Sequence, residues 1–164
     1  MGSYLYKPKN SASLKLIEDN PIYFMSGDIL LVESSELEIC MDGHTFDHIG
    51  IVTFTDFNTY VFHDGNFERI SEYISRHHDR IQIRCVKQPL DQYILTEACK
   101  TVQGFMMTSD INIFEREGLA VSLVLQEMGL LETTLLSPHL FEFEKLCHDN
   151  PIPLRQGKNN VQNK

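Results

Sequence analysis

His48-Ile49-Gly50-Ile51-Val52-Thr53-Phe54, then Asp56–Asn58, then Tyr60-Val61-Phe62-His63 is the stretch on which the fold turns. Two β-rich runs flank a short polar break, which is the pattern of an antiparallel hairpin. Upstream, Ser26-Gly27-Asp28 is a turn that feeds Ile29-Leu30-Leu31-Val32, an apolar run read as a buried strand. Downstream, Ile70–Ser75 reads as a short helix with His77-His78-Asp79 as its exit. Arg80–Val86 then alternates polar and apolar residues, the period of a half-buried strand. Apolar residues at Leu90, Tyr93, Ile94, Ala98 and Val102 have helical spacing, and Gly104 is read as the stop. A second helix is expected from about Gly118 to Met128, stopped by Gly129. A third is expected over His139–His148, with Ser137 as N-cap and Pro138 in the first position. Ser34–Met41 and Ala12–Glu18 are read as no more than short helical turns. The expected class is α+β: a small antiparallel sheet flanked by helices.

Residues 1–25 read as an N-terminal arm, 26–150 as the folded domain, and 151–164 as a flexible C-terminal tail rich in polar residues. The 164 residues suit one ordinary domain that folds without staples. Carboxylates outnumber Lys and Arg by 23 to 14, for a formal charge of -9. Such a surface repels phosphate backbones and anionic headgroups, and no basic run offsets it, so nucleic acid is not an expected partner. No apolar stretch reaches the length of a membrane span. Neither a secretory signal nor a myristoylation motif is expected, since Tyr6 stands where the latter needs Ser or Thr. The four cysteines, Cys40, Cys85, Cys99 and Cys147, form no CxxC pair and read as reduced thiols of a cytoplasmic protein.

Histidine carries the candidate chemistry. His48 opens one strand of the hairpin and His63 closes the other, so both imidazoles can share a sheet face near one end. One would then orient the other, as a base and its orienter do in nucleophilic catalysis. The bland reading is two strand-end histidines with local hydrogen bonds. Cys40, His44 and His48 are spaced four and four, as zinc ligands on one helix face would be, with His63 nearby as a fourth. Gly43 and the β-rich run after His48 argue against that helix, so no metal and no cofactor are expected. His77 and His78 lie in a charged stretch and read as solvated.

Gly27-Asp28-Ile29-Leu30, His48-Ile49-Gly50-Ile51-Val52 and Val61-Phe62-His63, in that order, resemble the circularly permuted branch of the papain-like NlpC-type hydrolases. That branch holds YiiX-like amidases and lecithin retinol acyltransferase, and it occurs in large DNA viruses. The resemblance would span about residues 26 to 146 and implies a permuted papain-like fold. It places His48 at the general base and His63 at the orienting position. The nucleophile helix of the family reads C-S-x-L-V, and the matching stretch here is Ala120-Val121-Ser122-Leu123-Val124, ahead of Gly129. Ser137-Pro138-His139-Leu140 resembles the family's S/T-P-x-x-L segment. Ala120 therefore falls at the nucleophile position, where it offers neither thiol nor ligand. Ser122 lies about 200° around the helix from Ala120 and does not replace it; Cys85 and Cys99 read as core.

The resemblance thus implies a catalytically degenerate hydrolase scaffold with a binding or assembly role. Its partners would be other proteins, and the viral branch points to a virion or minor-capsid location. The alternative is an active cysteine amidase or acyltransferase whose nucleophile lies elsewhere or was mutated to Ala120.

Overall fold

Four fully or nearly fully buried residues in a row, Ile29 to Val32, can be accommodated only where a strand is covered on both faces. That is their place in the computed structural model, which describes residues 24–33, 46–55, 57–77, 80–112, 115–132, 143–149 and 151–154. Among these residues the order is β1 (Ile29–Glu33), β2 (Phe46–Phe54), β3 (Thr59–His63), β4 (Asn66–Arg69), α1 (Ile70–Arg76), β5 (Ile81–Arg84), α2 (Gln92–Met107), α3 (Arg116–Glu127), α4 (Phe143–Leu146) and β6 (Ile152–Leu154). The strands form one antiparallel sheet in the order β4-β3-β2-β1-β5-β6. The chain is α+β, as its patterning predicts. No helix among the described residues is long and apolar enough to cross a membrane.

Strand alternation divides the core in two. Ile29, Leu31, Ile49, Ile51 and Phe62 face α2 and α3, which return Leu95, Cys99, Val102, Val121 and Val124. Leu30, Val32, Val52, Val61 and Ile83 face the other way, onto Ile70, Tyr73 and Ile74 of α1. Burying both faces is the main stabilising term.

Several expected boundaries move. The domain begins before residue 26: Phe24 and Met25 are buried, and the Met25 amide donates to the Asp28 carboxylate at 2.9 Å. It also extends past 150. Ile152–Leu154 is an edge strand paired with β5 rather than part of a flexible tail, and an edge tolerates Pro153, which has no amide hydrogen to give. A strand without a sequence-based expectation, β4, follows the two-residue turn Asp64-Gly65. The φ angles there are 52° and 81°, the doubly positive pair that matches hairpin twist.

Helix α2 starts later than expected, with Asp91 as an N-cap accepting from the amides of Tyr93 and Ile94. It then runs through Gly104 to Met107. A Cβ at Gly104 would meet nothing within 4 Å, so this glycine marks no stop and only weakens the helix. Gly104→Ala is expected to stabilise the protein by about 1 kcal/mol, read as a higher midpoint in urea unfolding. Gly129, with φ 76°, does end α3 as expected. The expected turns at Ala12–Glu18 and Ser34–Met41 and the Ser137-Pro138 cap lie outside the described residues. Of the expected last helix, Phe143–Leu146 is described as helical.

Candidate functional site

Residues of even number in β2 and odd number in β3 share the face covered by α1, so His48 and His63 project from the same side of the sheet. Gly50 lies between them in space. A Cβ there would come within 2.4 Å of Val61 Cγ1 and 3.3 Å of His63 Cβ, so the glycine lets β3 close against β2. The two imidazoles are brought together on one face, but neither orients the other. Each holds a carboxylate of its own.

His48 Nδ1 lies 3.0 Å from Oε2 of Glu117, and the Ile49 amide donates to Oε1 of the same carboxylate at 3.3 Å. The geometry follows from unequal strand lengths. Val52 donates to the Asp28 carbonyl, so alternate amides of β2 turn toward β1 and that of Ile49 turns away. β3 ends at His63, and no strand remains to accept from Ile49. The first turn of α3 fills the gap. Arg116 Nε bonds Asp64 Oδ1 at 2.7 Å, which fixes the start of α3 to the β3–β4 turn, and the next residue delivers its carboxylate to β2. The exposed amides of a helix start also favour a negative charge there.

His63 Nε2 lies 2.7 Å from Oε1 of Glu68, on β4. Arg76 grips the same carboxylate through Nε at 3.1 Å and a terminal nitrogen at 2.5 Å. Burial alone would raise the Glu68 pKa; the hydrogen bonds from Arg76 and His63 outweigh it and hold the carboxyl below its usual range. Between the two histidine–glutamate pairs lie the rings of Tyr73 and His77. Ring centroids are 4.7 Å apart for His48 and His77, 4.8 Å for His77 and Tyr73, and 4.9 Å for Tyr73 and His63.

His77 therefore differs from its solvated expectation. It is only 4% exposed, because the strand carrying His48 passes beneath the last turn of α1. Burial first, and then the positive charge of Arg76, pushes its pKa down to about 4. His78 lies outside the described residues.

Ala120 also stands elsewhere than expected. It is fully buried in the cluster on the α2–α3 side of the sheet, the face opposite His48. The residue of α3 that meets His48 is Glu117, one turn earlier. Ser122 is fully buried too. The Cys99 and Cys147 thiols are pushed up to about 12 by burial, and Cys85 packs beside Ile81 and Ile83. Cys40 and His44 lie outside the described residues. Among the described residues no group of three or more His, Cys, Asp and Glu side chains is placed to hold a metal ion.

Neither a protein-family model nor a curated protein sequence matches the chain.

Proposed function

We propose that this protein is a papain-like hydrolase scaffold that has lost its nucleophile and serves as a binding or assembly component. The observation that carries the reading is the Glu117–His48 pair. In the permuted papain-like arrangement a cysteine at the start of a helix faces a histidine on a strand. Here the helix-start residue facing the strand histidine is Glu117, so the nucleophile position falls on Glu117 rather than Ala120. A carboxylate does not replace a thiolate in acyl transfer: its attack on an ester or amide would give a mixed anhydride, which is less stable than the bond broken. Both oxygens are also engaged, one by His48 and one by Ile49. The pair reads as a structural clamp that keeps the dyad geometry without its chemistry.

Support for a binding role comes from α2, whose outer face leaves Tyr93, Ile94, Phe105 and Met107 at least half exposed. Apolar side chains concentrated on one helix are what contact with another protein uses. A virion or minor-capsid setting follows from the viral branch of the resemblance. The test is turnover on a panel of activated acyl esters, peptides and peptidoglycan-type amides. No hydrolysis above that of a His48→Ala variant is expected. Hydrolysis that His48→Ala abolishes would overturn the reading in favour of an active cysteine amidase or acyltransferase.

A further inference from the structure

Of the three imidazoles beneath α1, two have a carboxylate and one has none. His48 has Glu117 and His63 has Glu68, whereas among the described residues neither ring nitrogen of His77 has a hydrogen-bond partner, and the residue is only 4% exposed. We propose that His77 is the trigger of an acid-operated latch, whose protonation releases the C-terminal end of α1 from the sheet.

The surroundings of His77 set the direction of the switch. On its own helix it meets the ring of Tyr73 and the positive charge of Arg76. From β2 comes His48, from β3 His63, and from the approach to β5 Arg80, whose amide also bonds the His77 carbonyl. Among the described residues the carboxylates nearby are already engaged: Glu117 by His48 and Ile49, Glu68 by His63 and Arg76. A proton on His77 would meet the guanidinium groups of Arg76 and Arg80, with no carboxylate among the described residues bonded to either ring nitrogen.

The released segment binds the proton more tightly than the closed one. With an ordinary value of 6.5 when released and about 4 when closed, His77 favours the closed form at neutral pH. That preference is lost as pH falls from 6.5 toward 4. The arithmetic gives an opening equilibrium about twentyfold higher at pH 5 than at pH 7. Opening should stay at the end of the helix, because Ser75 and Arg76 are already exposed and, with the C-cap His77, lie beyond the buried Tyr73 and Ile74 that anchor α1 to the sheet.

Hydrogen exchange of the full chain between pH 7 and pH 4.5, corrected for the intrinsic pH dependence, reads this directly. Peptides over 70–77 are compared with peptides over 29–33 and 49–54. Protection over 70–77 should fall about twentyfold by pH 5 while the sheet peptides hold, and in His77→Phe the fall should be less than about twofold. Should His77→Phe lack a cooperative melt, His77→Gln carries the same expectation. Unchanged protection over 70–77, a fall shared by the sheet peptides, or a wild-type response in the neutral variants would each overturn the proposal.

Discussion

Asp28→Ala is expected to lose about 3–5 kcal/mol of stability, a large share of what a domain of this size has. The Asp28 side chain is wholly buried. It accepts from the Met25 amide through one oxygen and from the Val86 amide through the other, both at 2.9 Å. One carboxylate thus joins the entry to β1 with the exit from β5. Alanine leaves both amides buried without a partner, and each such loss costs about 1–3 kcal/mol. Asp28→Asn should fall between wild type and Asp28→Ala, since one oxygen remains and an NH2 group meets the second amide. The preceding Gly27 belongs to the same device. Its φ is 102°, and a Cβ there would lie 2.6 Å from Leu90 Cγ. The Gly-Asp pair is therefore structural, and urea unfolding that places Asp28→Ala within about 1 kcal/mol of wild type would contradict this account of β1.

Tyr73 gives the second large effect, and its two truncations should differ sharply. The ring is fully buried against the sheet, so Tyr73→Ala should cost about 3–5 kcal/mol through lost burial and the cavity left behind. The hydroxyl is buried with no hydrogen-bond partner among the described residues. Tyr73→Phe removes only that unsatisfied group and should be neutral or stabilising by up to about 1 kcal/mol. Thermal melts of the two variants side by side check both values. A loss above about 1 kcal/mol in Tyr73→Phe would show that the hydroxyl does stabilise the fold.

Much of this architecture was legible because local pattern and tertiary role agree. The apolar run at Ile29–Val32, the hairpin from His48 to His63 and the alternation of Ile81–Arg84 each encode their own burial. The features that escaped depend on partners distant in sequence. Asn66-Phe67-Glu68-Arg69 has one apolar residue and no alternation to mark a strand; its sign was the Asp64-Gly65 dipeptide before it. Ile152-Pro153-Leu154 is short and interrupted by proline, and is a strand only because β5 has a free edge. His77 looks solvated in a charged local context, and nothing local says that β2 will pass beneath it. At the candidate site the two histidines and their shared face are legible in the sequence, but the residue of α3 that meets His48 is not. The register of α3 depends on Arg116 reaching Asp64 across 52 positions and on Glu117 reaching His48 across 69. No pattern internal to α3 distinguishes Glu117 from Ala120.

The most direct test of a vacated nucleophile position is alkylation of a Glu117→Cys variant by iodoacetamide as a function of pH, with and without His48→Ala. A thiol there would sit at a helix start beside an imidazole, both of which favour the thiolate. The account predicts an apparent thiol pKa well below the ordinary value of about 8.5, rising toward it when His48 is removed. An Ala120→Cys variant, buried on the opposite face, should react far more slowly. An ordinary pKa at position 117 that is indifferent to His48 would contradict the account, since the helix start and the strand histidine would then not form the remnant of a catalytic pair.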